Sequence, residues 1–106
     1  QWGACVVGVK SLDTVKEAQG QDLVRRTLER DLLWLIQTPQ TFRGSLLREA
    51  FSAARKSGFY GTDDASLVER LGYPIKIIKG SSLNIKITTP EDLGMAEAIF
   101  KNSLIK

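Results

Sequence analysis

The sequence has no histidine and a single cysteine among its 106 residues. The lack of histidine excludes acid–base catalysis by an imidazole and metal sites that depend on imidazole ligands. Cys5 cannot form a disulfide within the chain. Because Cys5 lies in an apolar run, we interpret it as a small buried side chain and not as a reactive thiol.

Long hydrophobic runs are also missing. No segment approaches the roughly 18 apolar residues that a membrane span needs. The apolar segment at residues 2–10 is short and has no basic flank before it, so it does not resemble a signal peptide. We therefore expect a cytoplasmic protein that has no membrane partner.

The chain also lacks a strong excess of one charge. It has 15 basic and 12 acidic residues, a net charge of +3, and the basic residues are dispersed along the sequence. A nucleic-acid-binding module usually has a denser basic patch or interleaved aromatic residues. The composition fits a protein that handles small anionic molecules and disfavours a nucleic-acid partner.

Familiar nucleotide-binding and hydrolase motifs are absent as well. The sequence contains no P-loop pattern, no G-x-G-x-x-G, no G-x-S-x-G and no metal-ligand cluster. Asp63 and Asp64 precede an apolar periodic segment, where acidic residues usually complement the helix dipole. Generic motifs therefore identify no activity.

Four segments have the patterns of β-strands. Residues 4–9 are apolar and β-branched, residues 32–37 are an apolar run, residues 75–79 are a short segment rich in isoleucine, and residues 83–88 alternate between apolar and polar. We expect Thr38-Pro39-Gln40 to end the second strand, because a residue before proline is restricted to extended geometry.

Three segments have helical spacing. We predict helices at residues 46–56, at residues 63–71 and from Pro90 to about Asn102. The expected N-caps are Ser45, Thr62 and Thr89, and the expected stops for the first two helices are Gly58 and Gly72. Strands that alternate with helices of this length predict an α/β sheet.

Residues 14–30 allow two interpretations. The polar break around Gly20 favours a β-hairpin, whereas helix propensity allows a helix from Leu23 to Arg30. A hairpin here has few apolar residues of its own. It would need to lie against another chain to be stable.

Three residues have side chains and predicted locations that suit phosphate binding. Thr38 ends a predicted strand, Thr62 begins a predicted helix, and Lys86 projects from the polar face of a predicted strand. Open α/β sheets bind ligands at the carboxyl ends of their strands, so these groups could converge there. The plainer interpretations are a turn residue, a helix cap and a solvated lysine.

Several segments, in the same order along the chain, resemble the 2-C-methyl-D-erythritol 4-phosphate cytidylyltransferase family. The resemblance covers nearly the whole chain. The segments are Asp13-Thr14-Val15-Lys16, Glu29-Arg30-Asp31-Leu32-Leu33-Trp34, Gln37-Thr38-Pro39-Gln40, Thr62-Asp63-Asp64-Ala65-Ser66, and Gly80 followed by Asn84-Ile85-Lys86-Ile87-Thr88 and Pro90-Glu91-Asp92-Leu93.

The resemblance implies an α/β fold that is the C-terminal portion of a Rossmann-like nucleotidyltransferase sheet. Residues 1–12 would form a core strand and turn, residues 13–31 a protruding β-arm for dimerisation, and residues 32–106 the C-terminal α/β half. Enzymes of this family transfer a cytidylyl group from CTP, with Mg²⁺ on the triphosphate, to methylerythritol phosphate. They release pyrophosphate in the synthesis of isoprenoid precursors.

The resemblance also implies roles for five residues. Arg30, Thr38, Thr62 and Lys86 match positions that hold the sugar phosphate, and Lys86 is the expected catalytic cation. Thr14 and Arg30 would complete the site of a partner subunit in a homodimer. A plant-type source would imply a plastid location.

The family's glycine-rich loop and metal-binding acid have no counterpart in the sequence. The resemblance therefore implies that no residue of this chain binds a cofactor or metal. We expect the 106 residues alone not to turn over CTP.

Two other functions remain open at this point. Ribitol-5-phosphate cytidylyltransferases share the fold and the Thr-Pro-Gln element, so the sugar phosphate is not decided by sequence. A chain with a protruding arm and an unfinished sheet could also act as a non-catalytic dimerisation module.

Overall fold

The computed structural model describes residues 2–105, with the side chains of residues 2–103. The elements are β1 (Ala4–Lys10), β2 (Lys16–Gln19), β3 (Leu23–Thr27), a 3₁₀ turn (Arg30–Leu32), β4 (Trp34–Phe42), α1 (Gly44–Ser57), α2 (Asp64–Arg70), β5 (Lys76–Lys79) and α3 (Pro90–Ile105). The predicted α/β class is confirmed. Among the described residues, no helix is both long and apolar enough to cross a bilayer.

The centre of the fold is a three-stranded sheet in the order β4-β1-β5. Strand β1 runs antiparallel to β4 and parallel to β5. The β-branched and small residues of β1 suit a strand that has a neighbour on both sides. Helices α1 and α2 pack beside it, and the core joins Ala4 to Leu46, Ala50 and Val68, all buried.

Strand β4 extends further than predicted. We expected a strand at residues 32–37 that ended at Thr38-Pro39, but β4 runs to Phe42 and its last residue pairs with Ala4. The pairing passes from Gly8–Ile36 to Val6–Gln40, so residues 37–39 bulge out of the ladder. Because β4 also lies at the edge of the described sheet, a proline there costs no ladder hydrogen bond. The Thr38–Pro39 peptide bond is cis.

Residues 14–30 form the hairpin, and the helical alternative is wrong. Strands β2 and β3 pair antiparallel, from Lys16 opposite Thr27 to Gln19 opposite Leu23. The turn takes positive φ at Gln21 (65°) and Asp22 (58°), the left-handed geometry that tight hairpin turns use. Every residue of β3 is exposed. The hairpin therefore gains little from burial within this chain.

Helix α1 begins before the predicted cap. Ser45 was expected to be the N-cap, but Arg43 holds that position, and the Arg43 carbonyl already accepts the Leu47 N–H at 3.0 Å. The helix starts here because the chain turns directly out of β4 after Phe42. The predicted stop at Gly58 is confirmed, since Gly58 has φ 70° and its N–H bonds back to the last turn.

The segment at residues 83–88 is not a strand, contrary to the prediction. Its described backbone hydrogen bonds are turn-like, from Asn84 N–H to Ser81 O and from Ile85 N–H to Leu83 O, each 3.0 Å. Alternation alone does not form a strand, because a strand needs a neighbour to complete its ladder. Within the described residues, none pairs with this segment. The helix that follows begins at Pro90, as predicted.

Candidate functional site

A cleft of about 490 Å³ opens where β4, the start of α2 and the 83–88 segment meet. It brings together three of the five predicted site residues, Thr38, Thr62 and Lys86. The lining is completed by Ile36, Gln37, Gln40, Asp63, Asn84 and Ile85. Residues that are far apart in sequence therefore share one continuous space.

Thr38 reaches the cleft because of the bulge in β4. Residues 37–39 leave the ladder with β1, so the exposed Thr38 is presented beside the 83–88 segment. The side-chain amide of Asn84 donates to the Thr38 carbonyl at 2.7 Å. This bond fixes the backbone of Thr38 at the edge of the cleft.

Thr62 lies at the cleft, but it is not the helix cap that we predicted. Asp63 is the N-cap of α2, and its carboxylate accepts the Ser66 N–H at 2.8 Å in a capping box. Asp63 has extended backbone geometry (φ −153°, ψ 174°), which places the cap one residue later than expected. The exposed Thr62 hydroxyl is therefore not used to cap the helix.

Lys86 also lies at the cleft, on a segment that is not a strand. The prediction that Lys86 projects from the polar face of a strand is wrong, because the 83–88 segment is irregular. Lys86 is exposed and is the one cation among the described lining residues. An ammonium group held beside hydroxyl groups suits a phosphate oxygen.

A second hydrogen-bonded link fixes the opposite wall. The amide of Gln40 donates to Asp63 Oδ2 at 3.0 Å, and its carbonyl oxygen accepts the Ala65 N–H at 3.4 Å. Gln40 thus joins β4 to the first turn of α2. The link ties the strand that carries Thr38 to the start of the helix that follows Thr62.

The chemistry of the cleft suits a phosphorylated polyol. Lys86 supplies positive charge and Thr38 and Thr62 supply hydroxyls, while the side-chain amides of Gln37 and Asn84 bond to the walls of the cleft. Such groups can neutralise a phosphate and can exchange hydrogen bonds with sugar hydroxyls. Among the described lining residues none is a thiol or an imidazole.

Side chains that commonly ligate metals do not cluster in the described part of the chain. Over residues 2–105 there is no group of three His, Cys, Asp or Glu side chains that could hold a metal. The acid in the cleft wall, Asp63, accepts from Ser66 with one carboxylate oxygen and from Gln40 with the other. We therefore assign no metal ligand in the cleft.

Thr14 and Arg30 do not line this cleft. Thr14 is exposed just before β2, and Arg30 begins the 3₁₀ turn that follows β3. The Arg30 guanidinium donates to the Leu12 carbonyl at 3.0 Å, across the base of the hairpin. Both residues flank the hairpin formed by β2 and β3.

Sequence reasoning did not assign roles to Gln37, Gln40 and Asn84. All three line the cleft and make the hydrogen bonds that hold its walls. Each belongs to a segment that carried the family resemblance, and that was the available signal. Their contacts join residues that are 23 to 47 positions apart, which no local pattern reveals.

Comparisons with known sequences and with solved structures point to a single family. The family model described as IspD: 2-C-methyl-D-erythritol 4-phosphate cytidylyltransferase matches residues 1–102. A curated protein of that name from Geobacillus kaustophilus is 54% identical over 104 residues, which is 98% of this chain and 45% of the relative. The corresponding protein from Syntrophus aciditrophicus is 50% identical over 99 residues, or 93% of this chain and 42% of the relative.

Solved structures agree with the sequence comparison. The crystal structure of 2-C-methyl-D-erythritol 4-phosphate cytidylyltransferase from Thermus thermophilus matches with a TM-score of 0.81 and 41% identity, over 94% of this chain and 49% of that chain. The 4-diphosphocytidyl-2C-methyl-D-erythritol synthase of Anaerococcus prevotii matches with a TM-score of 0.84 and 36% identity, over 95% and 47%. The chain thus spans about half the length of the curated relatives it matches.

Proposed function

The chain belongs to the 2-C-methyl-D-erythritol 4-phosphate cytidylyltransferase family, and from this premise we propose that it carries the sugar-phosphate half of such an enzyme's active site. The complete enzyme transfers the cytidylyl group of CTP to 2-C-methyl-D-erythritol 4-phosphate and releases pyrophosphate. The proposal places this protein in the cytoplasm, in the synthesis of isoprenoid precursors. Its support is the meeting of Thr38, Thr62 and Lys86 in one cleft.

The reaction that we propose needs positioning and charge neutralisation. A phosphate oxygen of the sugar phosphate attacks the α-phosphorus of CTP, a new P–O bond forms, and the bond to the β-phosphate breaks, so that pyrophosphate leaves. Lys86 is the proposed catalytic residue, because its ammonium offsets the negative charge of two anions brought together. The hydroxyls of Thr38 and Thr62 orient the sugar phosphate. Mg²⁺ is expected to arrive with the triphosphate and has no assigned ligand in this chain.

The hairpin supports a homodimer as part of the proposal. Leu23 and Val24 are 56% and 59% exposed at the end of an arm that packs little against its own sheet. Apolar side chains in such a position gain stability when a second subunit covers them. Thr14 and Arg30, at the base of the arm, would then approach the cleft of the partner subunit.

Binding of the sugar phosphate tests the proposed site. Isothermal titration of 2-C-methyl-D-erythritol 4-phosphate into the chain should show binding that Lys86→Ala weakens about tenfold or more, since a charge-assisted bond to phosphate is lost. Lys79→Ala removes an exposed lysine of β5 and is the matched control. Equal affinity for the Lys86→Ala and Lys79→Ala variants would refute the role of Lys86.

Three further measurements separate this function from its alternatives. Ribitol 5-phosphate should bind more weakly than methylerythritol phosphate, and the opposite order would favour a ribitol-5-phosphate cytidylyltransferase. With CTP, Mg²⁺ and methylerythritol phosphate, the 106 residues alone should release no pyrophosphate. A defined dimer that binds neither sugar phosphate would indicate a dimerisation module.

A further inference from the structure

Two side-chain amides attach the 83–88 segment to the sheet. The Gln37 amide donates to the carbonyls of Ser81 (2.8 Å) and Asn84 (3.2 Å). In return, the Asn84 amide donates to the Thr38 carbonyl at 2.7 Å and lies 3.5 Å from the Gln37 side-chain oxygen. We call Gln37 and Asn84 the amide clamp.

Within the described residues, little else ties the segment to the sheet, and its far end is bonded to helix α3 through Thr88 and Asp92. It forms no ladder with a described strand, and Leu83 and Ile87 are 60% and 55% exposed, so burial contributes little. In the described part of the chain, every hydrogen bond between residues 81–88 and β4 involves Gln37 or Asn84. The attachment of the segment to the sheet therefore depends on the clamp.

Gly80 leaves the room that the clamp occupies. A Cβ atom at Gly80 would meet the Gln37 side-chain oxygen and a methyl group of Val7. The Gly80 N–H donates to the Gly8 carbonyl at 2.8 Å, which places this close approach at the end of the β1–β5 pairing. A residue with a side chain at this position would push Gln37 away from Ser81 and Asn84.

We propose that Gln37 and Asn84 are positioning residues that set Lys86 opposite Thr38. Lys86 lies two residues after Asn84, and both ends of the clamp line the same cleft as Lys86. The clamp ties strand β4, which carries Thr38, to the 83–88 segment, which carries Lys86. The proposal rests on the proposed function only in assigning Lys86 to a phosphate.

Hydrogen-exchange rates of backbone amides in the 83–88 segment test the clamp without any ligand. In the ¹⁵N-labelled chain, Gln37→Leu and the isosteric Gln37→Glu should both speed exchange of the Asn84 and Ile85 amides about fivefold, as expected for the loss of one or two hydrogen bonds. Gln37→Glu keeps the shape of the side chain and removes its donors. Gln19→Leu, on the exposed strand β2, is the control and should leave these rates unchanged.

A double-variant test shows whether the clamp acts through Lys86. Affinity for 2-C-methyl-D-erythritol 4-phosphate should fall about threefold to tenfold in Gln37→Leu, and should fall no further when Gln37→Leu is added to Lys86→Ala. Independent, additive losses would overturn the positioning role. Unchanged exchange at Asn84 and Ile85 would also overturn it.

The two proposals fail in distinguishable ways. If the unmodified chain does not bind the sugar phosphate, the proposed function fails for this chain, and the exchange rates still decide the clamp. If Gln37→Leu does not fold, Asn84→Ala removes the bond to Thr38 from an exposed position and provides the same two measurements. Faster exchange in the segment after Asn84→Ala supports the clamp, and unchanged exchange refutes it.

Discussion

The side-chain amide of Gln40 donates to Asp63 Oδ2 at 3.0 Å, while the other oxygen of Asp63 caps helix α2 through the Ser66 N–H at 2.8 Å. One carboxylate thus begins a helix and ties it to strand β4. Thr62 directly precedes Asp63, and Thr38 lies two residues before Gln40 on the strand.

Replacing Asp63 should cost stability. Asp63→Ala removes the cap and the bond to Gln40, so we expect the free energy of unfolding to fall by about 1–3 kcal/mol. Asp64→Ala, one residue later and exposed, should cost about 0.5 kcal/mol through the helix dipole. Urea unfolding of the two variants checks the difference, and equal losses would contradict the role of Asp63.

The core between α2 and the sheet should be sensitive to a small deletion. Val68 is fully buried (0% exposed), so Val68→Ala should lower the free energy of unfolding by about 2 kcal/mol. Val24→Ala makes the same change on the hairpin, where the side chain is 59% exposed, and should cost less than about 0.5 kcal/mol. Thermal unfolding compares the two valines. A similar loss at both sites would show that α2 does not pack as described.

Acid should loosen the start of α3 through Asp92. Its carboxylate accepts the Thr88 N–H (3.1 Å) and hydroxyl (3.0 Å), and these bonds, with those of Thr89, hold the pKa of Asp92 below its usual 3.8. Because the folded-state pKa is the lower one, this stabilisation is complete above about pH 4 and is lost as pH falls through the lowered pKa. The Leu93 amide donates to Thr89 O. Its hydrogen-exchange rate, divided by the intrinsic rate at each pH, should rise as pH falls over that range.

The matched control for the acid effect is Asp92→Asn. An asparagine at this position cannot titrate, so its Leu93 exchange should show no additional step below about pH 4 after correction for intrinsic rates. The same acid step in Asp92→Asn would assign it to another group.

A charge on the exposed face of the hairpin should weaken self-association of the chain. Val24→Asp places a charge on the exposed apolar part of the arm and should raise the dimer dissociation constant by about tenfold or more, with little effect on unfolding of the monomer. Gln19→Asp, on the neighbouring exposed strand, is the control. Light scattering over a range of concentrations measures both. A mass that stays the same in Val24→Asp would contradict dimerisation through the arm.

Local patterns were sufficient for the elements that local chemistry determines. The β-branched run of β1 and the Gly58 stop of α1 were predicted because strand propensity and left-handed glycine geometry act within a few residues. The prediction of a strand at residues 83–88 was wrong because a strand needs a neighbouring strand to bond to. The alternation within the segment contains no information about such a neighbour.

The site was predictable only in part. The family resemblance was enough to name Thr38, Thr62 and Lys86. The N-cap of α2 was predicted to be Thr62 but is Asp63. Threonine and aspartate can both cap a helix, so the backbone geometry decides between them. The bond from Asn84 to Thr38 joins residues 46 positions apart, so only the folded chain reveals it. The roles of Thr14 and Arg30 stay predictions, since they concern a partner subunit.

The central claim is that Thr38, Thr62 and Lys86 form one sugar-phosphate site, and chemical-shift mapping tests it most directly. Titration of 2-C-methyl-D-erythritol 4-phosphate into the ¹⁵N-labelled chain should shift the amides of Thr38, Thr62 and Lys86 together, with one dissociation constant. Lys86→Ala should reduce all three shifts at a given concentration. No shifts, or shifts confined to the hairpin or α3, would contradict the account.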